Sequence, residues 1–455
     1  MLYRKISEYL KDYFKSGDDR ILIVEGARQI GKSYIIRQIG KQIYPNFIEV
    51  NFVEDDEGPQ LFKNIHSVSD FYFALSSIAG SAMHGYKDTL IFLDEIQHYP
   101  QYLTLLKFFR QDHRYRFIAS GSLLGITLHK TTSVPVGSII RKQMYQLDFE
   151  EWLIANGVGD YALKELRERY AKCESLPQEQ HEHLLSLFKR YLLVGGLPDV
   201  VNEYLRSHNI AKVREMQNAI IDLYKDDAAK YEQETEKRLL IRRIYDMIPS
   251  QMENKKKRVV VTNIRDKKGD RYDYFTEEFE YLSSAGIALD VHAISDPRYP
   301  LSESLQKNLL KLYLNDVGLL TSRLFGLSIK AVLETEKSIN LGAVYESVVA
   351  QELAAHGHHL FYYDNRSKGE VDYIIDDTDT CRVVPVEVKS GKDYTVHSAL
   401  NNLVTHPDYQ IESAVVLSNE REVMRVNKIL YLPIYFVMFM HAKQQEEMDA
   451  KELIF

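Results

Sequence analysis

The chain has 455 residues, 45% apolar and 27% charged, with a formal net charge of −8. That length holds roughly three or more domains with cores of their own, and the composition is that of a globular protein rather than a disordered or fibrous one. The acidic balance excludes a uniformly basic nucleic-acid coat, and only two cysteines, Cys173 and Cys381, exclude a disulfide framework or a four-cysteine zinc site.

The first stretch, residues 1–20, has the three- and four-residue spacing of an amphipathic helix at Ile6, Tyr9, Leu10, Tyr13 and Phe14. Met1-Leu2-Tyr3-Arg4-Lys5 lacks the apolar region of a signal peptide, and no later apolar run reaches the roughly eighteen residues of a membrane span. The expected location is therefore a reducing cytoplasm. The apolar run Ile21-Leu22-Ile23-Val24 predicts a strand, and Gly26-Ala27-Arg28-Gln29-Ile30-Gly31-Lys32-Ser33 follows it. Tyr34 and Ile35 then open a helical pattern. A glycine-rich turn between strand and helix lets backbone N–H groups face a phosphate chain, and the helix N-terminus adds partial positive charge. Lys32 would reach the β- and γ-phosphates of ATP, and the Ser33 hydroxyl would ligate Mg²⁺.

Phe47 to Phe52 alternates like a strand, and Thr89-Leu90-Ile91-Phe92-Leu93 is a continuous apolar run of the kind a doubly covered parallel strand shows. It stops at Asp94-Glu95, where Asp94 would serve the Mg²⁺ ion and Glu95 would deprotonate the attacking water. The next strand, Tyr115 to Ala119, ends in Ser120-Gly121-Ser122. Ser120 is the candidate for sensing the γ-phosphate, and an ordinary serine-glycine turn accounts for the same residues.

These features together resemble an AAA-type ATPase, and in particular a widespread prokaryotic family of single-chain ATPases of unknown biological role. The likeness extends to Ser133-Val134-Pro135-Val136-Gly137, to Met144-Tyr145-Gln146-Leu147-Asp148-Phe149-Glu150-Glu151-Trp152, and to Gly195-Gly196-Leu197-Pro198. In that family a basic residue often follows the glycine equivalent to Gly137. Here Ser138 stands there, leaving Arg141 and Arg28 as the arginines available to the transition state. The resemblance implies a P-loop core over residues 1–160 and a helical lid over 161–232. Within the lid, Leu184, Leu187, Phe188, Tyr191 and Leu192 have helical spacing, Gly195-Gly196 breaks it, and Pro198 restarts a helix.

Residues 233–330 change character. Lys237, Arg238, Arg242 and Arg243 precede Asn254-Lys255-Lys256-Lys257-Arg258, with a short strand expected over residues 258–262 and a helix from Thr276 to Ser284. The arrangement resembles a winged-helix module. Lys255, Lys256, Lys257 and Arg258 form either a patch for a DNA phosphate backbone or a solvated charged face. After Tyr313-Leu314-Asn315-Asp316-Val317-Gly318-Leu319-Leu320 a linker-like stretch leads to a last domain, 335–455. There Glu346 falls on a helix from Gly342 to Ala355, Asp372 on a strand, and Glu387 and Lys389 two apart on another, so that these last two share a face. With Asp372 and Glu346 they would form a Mg²⁺ site with a lysine beside it. The ordered set resembles the PD-(D/E)xK nuclease fold, with Val371-Asp372 in place of Pro-Asp. The expected architecture is thus α/β: an AAA-type parallel sheet, a lid, a winged-helix-like module and a restriction-endonuclease-like domain. Either an ATPase coupled to DNA processing or a nucleotide switch with an inactive scaffold domain fits, and an ATP-driven protein remodeller would need no DNA.

Overall fold

The structure, a computed structural model, describes residues 2–85, 87–122, 136–231, 235–254, 257–265, 267, 269–334, 341–365, 369–391 and 393–442. The chain divides into two compact units, Met1–Gln146 with Tyr281–Ile287, and Leu147–Glu280 with Ala288–Phe455.

The first unit is built on five parallel strands: β1 (Ile21–Glu25), β2 (Asn46–Asn51), β3 (Thr89–Asp94), β4 (Arg116–Gly121) and β5 (Ile139–Gln143), in the order β2-β3-β4-β1-β5. Every residue of β1, β3 and β4 is buried, which is why β1 and β3 read as nearly continuous apolar runs. An aromatic cluster closes one face, with Phe52, Phe62, Phe71, Tyr102, Phe109 and Phe117 packed together and the Phe109 and Phe117 rings stacked 4.6 Å apart. Because β4 lies between β1 and β3, the carboxyl ends of β1 and β3 flank the end of β4. A crevice at the carboxyl ends of reordered parallel strands is where such sheets take ligands. The edge strand β5 was not expected from the sequence. Its Arg141 and Lys142 interrupt the apolar signal, since an edge strand needs only one covered face.

The second unit begins with helices Phe149–Ala155, Asp160–Lys172, Gln178–Val194, Pro198–Ser207, Ile210–Tyr231 and Thr235–Met252. A mixed sheet of eight strands follows: β6 (Ala288–Ile294), β7 (Leu305–Leu314), β8 (Phe361–Asn365), β9 (Gly369–Asp377), β10 (Arg382–Lys389), β11 (Ala414–Ser418), β12 (Met424–Val426) and β13 (Ile429–Pro433). Their order is β12-β13-β11-β10-β9-β8-β6-β7. The β6–β7 hairpin thus continues the sheet of the C-terminal residues through a parallel pairing of β6 with β8. The strand expected at residues 258–262 does not form. Val259 N–H donates to Leu310 O at 2.9 Å, and a helical turn, Thr262–Arg265, takes over at once. Arg258 instead ties the segment down through its side chain, to Asp364 of β8. The linker-like stretch after Leu320 also differs: its first residues still belong to a helix, Val317–Phe325, which Asp316 caps by accepting from Leu319 N–H at 3.1 Å.

Asp316 has a second task. Its other oxygen accepts from Gly196 N–H at 2.7 Å, where the helix Gln178–Val194 ends at Gly195 with φ +75°. Burial pushes the Asp316 carboxyl up to about 6, against the pull of the Gly196, Leu319 and Gly318 N–H groups. An acid raised on folding holds its proton more tightly in the native state. Its contribution to stability is therefore full below the unfolded value of 3.8 and lost as pH rises through about 6. Asp316→Asn should remove that loss, so the melting temperature of the variant gains on the parent between those two pH values. A parent–variant difference that stays flat with pH would show that this carboxyl does not titrate there.

Candidate functional site

In the first unit, β1 delivers the chain into a loop with Gly26 at φ +146°, Gln29 at φ +64° and Gly31 at φ +89°, the backbone hand that favours glycine. The helix Lys32–Ile43 starts at once, with no side chain capping its first turn, so its leading N–H groups remain available to an anion. Arg4 donates to Ile30 O at 2.9 Å and holds the loop from below, a contact no motif in the sequence announces. Ala27 and Ile30 are buried, while Tyr34 points outward at 51% exposure, so Tyr34 stands apart from the other residues of the loop. From Tyr281–Ile287, Gly286 comes so near that a Cβ there would meet Ala27 N at 3.0 Å.

Lys32 is buried, and its Nζ donates to Gly26 O at 3.0 Å and Ala27 O at 2.7 Å. Burial lowers its pKa, opposed by Glu95 and Asp94. At the end of β3, Asp94 Oδ1 accepts from Ser33 Oγ at 2.9 Å and from Ser120 Oγ of β4. Burial raises the Asp94 carboxyl despite those hydroxyls. Glu95 sits at φ +55°, a strained conformation for a residue with a side chain. Burial pushes its carboxyl up, but Lys32, Gln97 and Arg28 outweigh it, so the net shift is downward and Glu95 stays ionised. Its Oε2 accepts from Gln97 Nε2 and from Ser122 Oγ at 3.1 Å, and Gln97 also reaches Ser122 at 3.2 Å. Gln97 and Ser122 were not singled out from sequence, although both lie two residues beyond a named candidate. Of the two arginines, Arg28 acts on Glu95 and Lys32, whereas Arg141 forms a two-pronged pair with Glu25 at the end of β1, one contact at 2.6 Å. Ser133, Val134 and Pro135 lie outside the described residues.

In the second unit the structure brings Glu346, Asp372, Glu387 and Lys389 together. Glu346 projects from the helix Gly342–Ala355, Asp372 from β9, and Glu387 and Lys389 from β10. Val386 pairs with Tyr373, which sets Asp372 beside Glu387. Lys389 Nζ donates to Glu387 Oε1 at 2.8 Å, and Asp372 Oδ2 accepts from Val388 N–H at 2.8 Å. Burial and the neighbouring Asp372 push the Glu387 carboxyl up to about 8, against the pull of Lys389. Burial and Asp372 raise Glu346 as well, opposed by Lys257 and Lys311. Lys311, in the middle of β7, is wholly buried and lies 2.5 Å from Glu370 Oε1. A lone lysine in Leu309-Leu310-Lys311-Leu312-Tyr313 was the available signal for it.

Of the basic patch, Lys255 and Lys256 lie outside the described residues. The other two turn inward: Lys257 pairs with Glu346, and Arg258 with Asp364 and, at 3.9 Å, with Glu370. A phosphate backbone needs cations facing solvent, and these are only 16% and 15% exposed. Among the described residues no three His, Cys, Asp or Glu side chains converge closely enough to hold one metal ion. The carboxylates feel one another's charge, but ammonium groups stand among them.

Residues 18–153 match a family model described as an AAA domain. Residues 185–330 and 341–437 match two models described as domains of unknown function, DUF8612 and DUF4143. No curated protein matches the chain. Among solved structures, the Walker-type ATPase paby2304 of Pyrococcus abyssi is similar at 13% identity and a TM-score of 0.43, over 71% of this chain and 96% of that one. The RuvB Holliday junction branch migration motor of Thermotoga maritima is similar at 15% identity and a TM-score of 0.29, over 66% of this chain and 90% of that one. Among the described residues no helix is long and apolar enough to cross a membrane. The glycine loop between β1 and its helix, the acidic end of β3 and the matched AAA domain agree: the N-terminus of this chain is an AAA-type P-loop ATPase domain.

Proposed function

We propose that the chain binds and hydrolyses ATP in its N-terminal domain and couples nucleotide state to DNA contact or processing through a C-terminal nuclease-like domain. The observation that carries the first half is the convergence of Lys32, Ser33, Ser120, Asp94 and Glu95 on one glycine loop. Lys32 would leave the carbonyls of Gly26 and Ala27 for the β- and γ-phosphates. Ser33 and Asp94 present adjacent hard oxygens, a donor pair that fits Mg²⁺ with water completing its shell. The ion would neutralise charge on the phosphates. Glu95, held ionised, would take the proton of the attacking water, and Ser120 would report the γ-phosphate through Asp94. Gly286 against Ala27 supports coupling, because its segment joins the loop to residues of the middle module.

For the remainder we propose the four-part division read from sequence: ATPase core 1–160, lid 161–232, winged-helix-like module 233–330 and nuclease-like domain 335–455. The gathering of Glu346, Asp372, Glu387 and Lys389 supports a nuclease ancestry. A second reading, a nucleotide switch with an inactive scaffold domain, is favoured by the lysines already seated on those carboxylates. ATP turnover measured with and without duplex DNA, with nicked products followed in parallel in Mg²⁺ or Mn²⁺, tests both. Stimulated turnover together with nicking that Asp372→Asn abolishes, at unchanged ATP hydrolysis, supports the nuclease. Turnover with no nicking in the parent decides for the scaffold, and turnover indifferent to DNA removes the coupling.

A further inference from the structure

Four cations and five carboxylates crowd the C-terminal cluster, and the cations are not equivalent. Lys311 lies in a strand and is wholly buried beside Glu370, and Lys389 is fixed on β10 two residues from its own partner Glu387. Arg258 is shared between Asp364 and Glu370. Among the described residues Lys257 is the cation paired with the helix carboxylate, Glu346, and it reaches it from a segment outside any helix or strand, with φ +48°. That left-handed backbone aims its stem inward, toward a partner only 5% exposed. A second observation bears on a cation: Glu387 is 6% exposed, and its Oε2 has no hydrogen-bond partner among the described residues. Buried acceptors are normally satisfied, and an oxygen left bare beside Asp372 and Glu346 is what a cation would occupy.

We propose that Lys257 is an internal plug: its ammonium stands where a divalent cation would bind Glu346, and the site takes Mg²⁺ or Mn²⁺ only when that ammonium withdraws. The proposal rests on the nuclease-like reading of this cluster and adds its regulation. With the plug in place the Lys257 ammonium pairs with Glu346 while Lys311 adds its charge nearby, and among the described residues the three carboxylates do not converge on one ion position. With the plug withdrawn, Glu346, Asp372 and Glu387 repel one another, and a dication relieves three repulsions that a single ammonium leaves partly unmet. Metal and lysine thereby compete for one carboxylate, and the apparent metal affinity is reduced by the fraction of molecules in which the plug is seated.

The test uses the full chain, freed of metal and without nucleotide, titrated with Mn²⁺ and followed by thermal melting and calorimetry. Lys257→Met keeps the stem and removes the charge. It should melt lower than the parent without metal, yet bind Mn²⁺ at least about tenfold tighter. Adding Glu346→Gln to that variant should abolish the gain. In the parent, Mn²⁺ should raise acylation of Lys257 as read by mass spectrometry while Lys311 stays protected, a readout that needs no variant to fold. Equal Mn²⁺ affinity in parent and Lys257→Met, lost on Glu346→Gln, would leave the metal site standing and overturn the plug. Absence of Mn²⁺ binding in every protein would overturn both. Unchanged Lys257 labelling at saturating Mn²⁺ would overturn the plug alone.

Discussion

Lys32→Ala should abolish ATP binding, whereas Glu95→Gln should bind ATP as the parent does and hydrolyse it about 10²–10⁴-fold more slowly. The two substitutions separate because the two side chains answer to different charges. Lys32 is buried beside Asp94 and Glu95, and its ammonium is held by two backbone carbonyls that cost little to abandon when phosphate oxygens arrive. Removing it leaves the loop with the helix N–H groups and the Arg28 guanidinium, without the cation buried between the carbonyls, against a triphosphate and two carboxylates. Glu95 contributes little to that balance as an amide, since Gln97 and Ser122 still hold position 95 and Ser33 and Asp94 remain for the metal. What would disappear is the proposed base. Equilibrium binding of a labelled nucleotide and steady-state phosphate release measure the two effects separately. Parental binding by Lys32→Ala would remove the phosphate-loop reading, and parental turnover by Glu95→Gln would place the base elsewhere.

The parts of this molecule that sequence made legible are those whose signal is local. The loop from Gly26 to Ser33 carries its meaning in eight consecutive residues. The burial of β3 on both faces is written in one apolar run, and the helix Gly342–Ala355 with β9 and β10 formed where the patterns put them. Illegible were features set by partners distant in the chain. The charges of Lys257 and Arg258 were plain, but their direction depends on Glu346 and Asp364, roughly a hundred residues away, and inward ion pairs use the same residue types as an outward patch. The sheet continuity between β6 and β8 joins residues on either side of an expected boundary, and no local pattern encodes it. Asp316 carries no local signal of its role, because its two accepting contacts, one of them 120 residues distant, are what make it a cap and a joint at once.

That joint carries the second large effect. Gly196→Ala should cost more than about 4 kcal/mol, the range reserved for a few mechanisms of which overpacking against backbone is one. A Cβ at position 196 would stand 2.0 Å from Leu147 O and 2.9 Å from Leu147 N and C, closer than real Cβ atoms come. Leu147 has little room to give way. Its N–H donates to Gly196 O at 2.8 Å, its carbonyl accepts from Tyr191 Oη at 2.8 Å, and Gly196 N–H is held by Asp316 at 2.7 Å. Admitting the methyl group means parting at least one of these buried bonds, at about 1–3 kcal/mol each, in addition to the strain. Set against a total of about 5–15 kcal/mol for a typical domain, the second unit would be left marginal or unfolded. Gly391→Ala is the control, since among the described residues nothing lies within 4 Å of a Cβ there. Its change should stay within about 0.5 kcal/mol. Denaturant unfolding of the parent and both variants reads the difference as a shift in midpoint. A Gly196→Ala midpoint no lower than that of Gly391→Ala would mean that Leu147 can retreat at no cost, and that position 196 does not require glycine.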